Sequence, residues 1–281
     1  MKKKANFTMK EDELKEYLKK NREMWNGLAS LHVTSKFYDV EGFKKGKTSL
    51  TFIERKELGD ISGRSLLHLQ CHFGLDTMSW AHLGARVTGV DFSEKAIKLA
   101  GSIAQDLKID ARFIQSNIYD LPRVLEGQFD IVYTSYGVLC WLPNLTKWGE
   151  IISHFLKENG SFYMVEFHPI RAMFDDDGNI TEPYFHTEEP IKYEGSGSYA
   201  DPTADFRHIS YEWTHSLGDV VNALVEAGLH IEFLHEFPFS TSGDCPFLVK
   251  AKDGLWYHKN KDIKIPLMFS IKARKGYQRI R

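Results

Sequence analysis

The chain has 281 residues, enough for one large α/β domain with an elaboration. Its 36 Lys and Arg against 38 Asp and Glu give a formal net charge of −2, so no basic surplus marks a nucleic-acid partner. No run approaches the roughly 18 apolar residues of a membrane span, and the Lys2-Lys3-Lys4 start has no apolar run behind it that would make a secretory signal. Three scattered cysteines, Cys71, Cys140 and Cys245, fit a reducing compartment better than a disulfide frame, so a cytoplasmic location without a membrane is expected.

Residues 1–59 read as an N-terminal helical extension or cap. Within it Glu11 to Leu28 is amphipathic, with Leu14, Tyr17, Leu18, Met24, Trp25 and Leu28 near one face. A linker with Gly42 and Gly46 follows, and Ser49 to Leu58 is predicted as a second helix. The α/β domain is assigned to residues 60–281. Its most informative part is Arg64 to Ala100. There an apolar run, Leu66 to Leu69, enters a tight turn ending at Gly74. A helical pattern reaches Leu83 and stops at Gly84, and a second apolar run, Val87 to Val90, ends on Asp91. Strand, turn, helix, strand, acid is the layout of a nucleotide-binding half of a doubly wound sheet. The turn meets the charged part of a ligand at a helix N-terminus, and an acid about 20 residues on accepts from ribose hydroxyls. Strand and helix then alternate to about His168. Residues 169–215 break that rhythm with Asp175 to Asn179, Gly195 to Ser198 and many aromatics, and read as a lid-like insertion of turns and β-ribbon, with Phe206 to Trp213 a candidate strand. Ser216 with Asp219 is a weak capping box opening a helix that ends at Gly228. Leu229 to Leu234 and Leu267 to Ala273 are the last two strands.

A dinucleotide site wants several glycines for close backbone approach to a pyrophosphate. The turn Gln70-Cys71-His72-Phe73-Gly74 has one, which argues against NAD or FAD. The segment instead resembles the first motifs of class I S-adenosylmethionine-dependent methyltransferases. Cys71, Gly74, Val87, Gly89, Val90, Asp91 and Ser93 match them, while His68 stands for the usual acid and Gln70 and His72 for the first two glycines. Ala111 to Ile118 with Asp120-Leu121-Pro122 resembles the third strand and the adenine-contacting turn, with Asn117 where Asp is usual. Gln128 to Gly137 resembles the fourth strand, Leu139 to Leu142 the apolar-aromatic element after it, and Leu156 to Phe162 the turn into the fifth. The resemblance spans roughly residues 60–168 and 216–275 and carries no substrate signature.

The resemblance implies a doubly wound, mostly parallel seven-stranded sheet with an antiparallel last strand, and S-adenosylmethionine as cofactor. The implied cofactor contacts are Gln70, Cys71, His72, Phe73, Gly74, Asp91, Phe92, Ser116, Asn117, Ile118 and Ser135. A sulfonium methyl is already electrophilic, so methyl transfer needs alignment and exclusion of water more than a fixed base. No catalytic residue is therefore assigned; His168, Glu166 and Tyr136 are candidates because they lie at predicted strand ends, although a structural role for His168 before Pro169 is at least as natural. Trp25, His32, Tyr38, Tyr136, Trp141 and His168 are candidate walls of a pocket for a small molecule; ordinary aromatic core is the plain alternative for Tyr136 and Trp141. The strand-four end, Ser135-Tyr136-Gly137, lacks the Asn/Asp-Pro-Pro-aromatic run that resembles methylation of bases. A nicotinamide oxidoreductase and a non-catalytic S-adenosylmethionine-binding protein are the alternatives. No metal is expected. His186, His208, Glu212 and His215 have no zinc spacing, and the Asp175-Asp176-Asp177-Gly178-Asn179 run lacks the Glu of a calcium loop and reads as a solvated turn. The oligomeric state is left open.

Overall fold

The structure is a computed structural model and describes residues 11–276 except 176 and 244. Three helices precede the sheet: α1 (Glu11–His32), α2 (Val40–Lys44) and α3 (Phe52–Leu58). Helix α1 runs four residues past its expected end and buries Met24, Leu28, Ala29 and His32. The expected linker contains α2, started by the Asp39 carboxylate accepting from the Gly42 amide. The predicted second helix is α3, shortened because Thr51 and Glu54 form a reciprocal capping box at its start.

The sheet follows as β1 (Ser65–Leu69), α4 (Leu75–His82), β2 (Arg86–Asp91), α5 (Glu94–Leu107), β3 (Ala111–Gln115), β4 (Phe129–Ser135), α6 (Leu145–Phe155) and β5 (Leu156–Phe167). The insertion contains an antiparallel hairpin, β6 (Ile191–Ser196) with β7 (Arg207–Glu212). Then come α7 (Leu217–Glu226), β8 (Leu229–Phe237), a small ribbon of β9 (Leu248–Lys250) and β10 (Trp256–His258), and β11 (Met268–Lys275). The ribbon was not predicted.

The sheet order is β3-β2-β1-β4-β5-β11-β8. Strands β1 to β5 pair in parallel, and β11 runs antiparallel to both β5 and β8. Strand β1 shows why its sequence is continuously apolar: Leu67 and Leu69 pack with α6 and α7 on one face, and Leu66 packs with α3 and Trp80 on the other. A third cluster joins Ala29, Val40 and Phe43 of the extension to Phe73, Met78, Ala96 and Ala100, so the extension docks on α4 and α5.

Helix α1 also binds the hairpin. The buried Asn21 amide donates to the Tyr211 carbonyl (2.7 Å) and accepts from the Tyr211 amide (2.8 Å), and Tyr17 stacks on Tyr211. Gly27 is what lets the two approach: a Cβ there would lie 2.3 Å from the Phe206 ring. The end of the insertion is tied to the loop after β4 by the Trp213 amide on the Cys140 carbonyl (2.8 Å). Extension and insertion thus meet over the carboxyl ends of β1, β2 and β4. The Lys2 to Lys4 start and Asp176 lie outside the described residues.

Candidate cofactor site

The turn after β1 keeps a glycine-like backbone without the glycines. Gln70 (φ 56°), His72 (φ 51°) and Gly74 (φ 76°) are all left-handed. For Gln70 and His72 this costs about 1–2 kcal/mol each, and the surroundings hold both. The Gln70 side-chain amide donates to the Val138 carbonyl (2.9 Å). The His72 amide donates to Asp91 Oδ2 (2.8 Å). Gly74 has an additional duty: a Cβ there would stand 2.5 Å from the Phe113 ring, which also fills the space above Gly89. Its glycine character serves helix–sheet packing as much as any ligand.

Asp91 ends β2 with its second oxygen accepting from the Ser93 amide (2.8 Å). Ser93 caps α5, and Asn26 of α1 accepts from the Ser93 hydroxyl (2.7 Å), so the extension is bonded to the residue pair after the acid. Burial pushes the Asp91 carboxyl up to about 6 despite these backbone donors. Phe92 beside it is half-buried. The buried Cys71 thiol is pushed well up by burial and is not a nucleophile at neutral pH.

Above the turn lies an aromatic roof. Trp25 packs edge-on against His72 (5.3 Å) and Trp141 (5.4 Å). His32 stacks on Tyr38 (5.1 Å), meets Tyr199 of the insertion (4.8 Å), and its Nδ1 is 3.0 Å from His72 Nε2. Tyr38 packs on Phe73 (4.8 Å), and its hydroxyl bonds that of Tyr199. Burial drives His32 down to about 4 and, with the His32 charge, holds His72 well below the usual imidazole range, so both rings are neutral at pH 7. Four of the six expected pocket residues, Trp25, His32, Tyr38 and Trp141, come together here. Tyr199 was missed because the insertion has no period to rank one aromatic above another.

The other two pocket residues lie elsewhere. The Tyr136 hydroxyl reaches the α3 capping box, 3.0 Å from both Glu54 Oε2 and Thr51 Oγ1. His168 Nδ1 accepts from the Ile170 amide (3.2 Å) and its Nε2 faces Glu236 (3.0 Å), over β11 and β8 rather than the turn. Burial depresses its pKa more than Glu236 restores it. Glu166 accepts backbone N–H groups of Gly137, Val138 (2.8 Å), Leu139 (3.4 Å) and Phe167 (2.6 Å). It shapes the loop after β4.

In the third-strand turn, the Ser116 amide donates to the Asp91 carbonyl (2.9 Å) and its hydroxyl to the Asn117 carbonyl (2.8 Å). Asn117 Oδ1 accepts from the Tyr119 amide (3.1 Å), capping a short 3-10 turn, and the Ile118 side chain belongs to the core. Ser135 ends β4 with its hydroxyl donating to Asp76 Oδ2 (3.1 Å). Among the described residues no group of His, Cys, Asp and Glu suits a metal ion. His186, His208 and His215 instead make separate contacts with the carbonyls of Thr214, Phe206 and Leu142. Asp175 Oδ1 accepts from the Asp177 and Asn179 amides, an Asx turn.

A nucleoside-based sulfonium cofactor fits this site on one internal observation. Of the buried side-chain polar atoms without a hydrogen-bond partner among the described residues, which also occur elsewhere in the core, three lie around the turn: Trp25 Nε1, His32 Nε2 and Gln70 Oε1, where a ligand could serve them. A cleft of about 390 Å³ lies at the opposite end of the sheet, lined by Ser65, Arg86, Gln128 and Lys157. Open α/β sheets bind ligands at the carboxyl ends, which makes the turn, not this cleft, the candidate site.

Comparison with known proteins agrees. Residues 67–164 match the family model described as "Methyltransferase domain". Ubiquinone biosynthesis O-methyltransferase of Bordetella pertussis is 34% identical over 76 residues, covering 26% of this chain and 31% of that protein. The enzyme of that name from Xanthomonas oryzae pv. oryzae is 24% identical over 145 residues, covering 50% and 60%. The chain thus spans well under two thirds of the length of these relatives. A solved S-adenosylmethionine-dependent methyltransferase from Clostridium acetobutylicum superposes with a TM-score of 0.57 at 16% identity, covering 90% of this chain and 99% of its own. One from Mesorhizobium loti gives 0.54 at 21%, covering 79% and 95%. With the strand order, the turn, the acid after β2 and the matched domain in agreement, residues 67–164 carry a methyltransferase domain within the fold of the class I S-adenosylmethionine-dependent methyltransferases.

Proposed function

We propose that this protein transfers a methyl group from S-adenosylmethionine to a small, partly apolar acceptor by direct in-line displacement. The observation that carries the small-acceptor reading is the aromatic roof that joins Trp25, His32 and Tyr38 of the extension, Tyr199 of the insertion and His72 of the turn. A roof built from both added segments leaves little room for a macromolecule and excludes water from the reacting centre. The bound cofactor supplies a methyl group on a sulfonium with a neutral leaving group. The chain's residues bind and align. Asp91 accepts from the ribose diol, Phe92 stands where an adenine face would pack, and the residues 116–118 turn closes that end. The orphaned Trp25 and His32 nitrogens and the Gln70 amide oxygen are free to orient the acceptor or the cofactor's polar tail.

The roof also limits the acceptor's chemistry. His32 near 4 and a depressed His72 are weak bases. They suit hydrogen bonding better than proton abstraction from a phenol or carbon acid. An acceptor that is already ionised or keeps a free lone pair at neutral pH, such as a carboxylate or a weakly basic amine, fits best. The relatives' names specify oxygen as their target, and a carboxylate oxygen would satisfy both considerations. The thiols of Cys71 and Cys140, which form no disulfide, support a cytoplasmic place of work.

Calorimetry should show binding of S-adenosylmethionine and S-adenosylhomocysteine and none of NAD. Hydrogen exchange with S-adenosylhomocysteine should raise protection in residues 25–45 and 180–215 as well as around Gly74. Protection confined to the turns at Gly74, Asp91 and Asn117 would remove the lid and favour an open-faced substrate. Tight binding with no turnover across carboxylates, amines, thiols and phenols would favour a non-catalytic binding protein.

A further inference from the structure

In this superfamily's usual pattern the strand that enters the turn carries an acid, and here that position is His68. The imidazole is buried, its Nδ1 2.8 Å from Thr77 Oγ1 and its Nε2 3.4 Å from Ser135 Oγ. Burial lowers it to about 3, so it is neutral at any physiological pH and cannot do a carboxylate's work. The same hydrogen-bonded chain continues, however, to an acid. Ser135 Oγ donates to Asp76 Oδ2 (3.1 Å), and Ser49 Oγ donates to Asp76 Oδ1 (2.6 Å). Asp76 sits in the first turn of α4, two residues beyond Gly74.

Asp76, like Asp91, is a carboxylate with hydrogen-bonding capacity left. Each Asp76 oxygen accepts one hydroxyl and has a lone pair to spare. Its neighbour Glu54 is taken up by the Thr51 amide (2.7 Å), the Thr51 hydroxyl and the Tyr136 hydroxyl (3.0 Å). The Asp76 residue is only half-buried, so it borders a recess rather than the packed core. No cation of the described residues stands beside it to offset the burial that raises its pKa. An uncompensated acid at the start of α4, just beyond the turn, asks for a cationic donor.

Resting on the methyltransferase reading, we propose that Asp76 has taken over the missing strand acid's task and holds the α-ammonium group of the cofactor's amino-acid tail. Neutral His68 with Thr77 and Ser135 positions that carboxylate. The plain alternative is that Asp76 only complements the helix dipole of α4 and ties down the Ser49 loop.

The test is calorimetry of the wild type and Asp76→Asn with two ligands, S-adenosylhomocysteine and its des-amino analogue. Asn keeps the side chain's shape and its acceptor oxygen but loses the charge. The wild type should prefer S-adenosylhomocysteine by about tenfold or more, as a charge-assisted hydrogen bond gives. In Asp76→Asn that preference should vanish while the des-amino analogue binds as before. Equal losses for both ligands, or an unchanged preference, would overturn the assignment and leave Asp76 a structural residue. A wild type that binds neither ligand would instead overturn the methyltransferase reading on which this rests. Should Asp76→Asn not fold, Ser135→Ala serves, because it loosens the carboxylate without removing it. There the preference should shrink but persist, and no shrinkage would count against the proposal.

Discussion

Asp91, at the end of β2, and Glu166, near the end of β5, are both buried carboxylates whose pKa burial raises. Their surroundings differ in one respect that decides what each can do. Asp91 accepts from the His72 and Ser93 amides, one on each oxygen, with the Phe92 amide also directed at it, and keeps a lone pair for a ligand. Glu166 accepts four, from Gly137, Val138, Leu139 and Phe167, and has nothing left to offer. The difference extends to their neighbours. On the Asp91 side several orphaned polar atoms stand under an aromatic roof; on the Glu166 side the Tyr136 hydroxyl is held by Glu54 and His168 Nε2 faces Glu236, though that nitrogen makes no hydrogen bond. A titratable group at a strand's carboxyl end is thus a catalytic candidate only if hydrogen-bonding capacity remains.

The sharpest way to break this comparison is Glu166→Ala. It strips acceptors from several buried N–H groups at once, and the loss should be about 3 kcal/mol or more. A urea titration would then show a markedly lower midpoint, or the protein would not accumulate. A stable Glu166→Ala protein that had lost only turnover would return Glu166 to the list of catalytic groups.

Next in size is Asp91→Ala. Removing a charge-assisted acceptor of the ribose diol should cost about 1.5–3 kcal/mol, at least about tenfold in S-adenosylhomocysteine affinity. The fold should survive, since fewer N–H groups lose their partner than at Glu166. Unchanged affinity in a folded variant would show that the ribose is held elsewhere.

Asp91 also predicts a pH dependence. Its folded value of about 6 lies above the unfolded aspartate value near 3.9. For the ligand-free protein, this group's contribution to stability is therefore fully present below about pH 3.9 and lost as pH rises through 6. Binding runs the opposite way, because ribose hydroxyls donate to the ionised form. Affinity should be at its full value above pH 6 and fall by up to about tenfold per unit below it. Calorimetry at pH 7.5 and at about pH 5 checks this, and Asp91→Asn should flatten the profile. A wild-type profile flat across that range would mean that the carboxyl is not the acceptor.

Much of this was legible in the sequence. The apolar runs at 66–69 and 87–90, the turn to Gly74 and Asp91 give the nucleotide-binding half, and the Ser216–Asp219 box starts α7 as expected. What could not be read depends on pairing distant in sequence. Tyr136 was a plausible wall until the capping box 82 residues earlier was seen to hold its hydroxyl. Asp76 carried only the signal of an acid in a first helical turn, common for dipole reasons alone. Its meaning appears when Ser135, 59 residues away, links it to His68. The β9–β10 ribbon has three residues per strand, too few for a period to register.

The smallest expected effect contrasts strain on the two sides. Asn159 is left-handed (φ 63°) and exposed, near the start of β5, far from the turn. Asn tolerates this conformation better than most residues, so Asn159→Gly gains only the difference between Asn's residual strain and glycine's greater unfolded-state freedom. A rise of about 0.5 kcal/mol is expected, with no change in S-adenosylhomocysteine affinity. His72 is equally left-handed (φ 51°), and a ring branching from such a backbone has more strain to lose, about 1–2 kcal/mol. Its ring, however, packs on Phe73 (4.4 Å) and Trp25 (5.3 Å), each contact contributing about 0.5–1.5 kcal/mol. The ring also meets His32 (5.2 Å, with Nδ1–Nε2 3.0 Å) and Tyr38 (5.4 Å), so the lost contacts outweigh the relieved strain and His72→Gly should melt below the parent. It should also lose function: the extra protection that S-adenosylhomocysteine confers on residues 25–45 would drop, because the roof has lost the ring on which it rests. If instead His72→Gly is clearly more stable and the roof still responds to ligand, the imidazole contributes only strain, and the Asp91 side differs from the Glu166 side in hydrogen-bonding capacity alone.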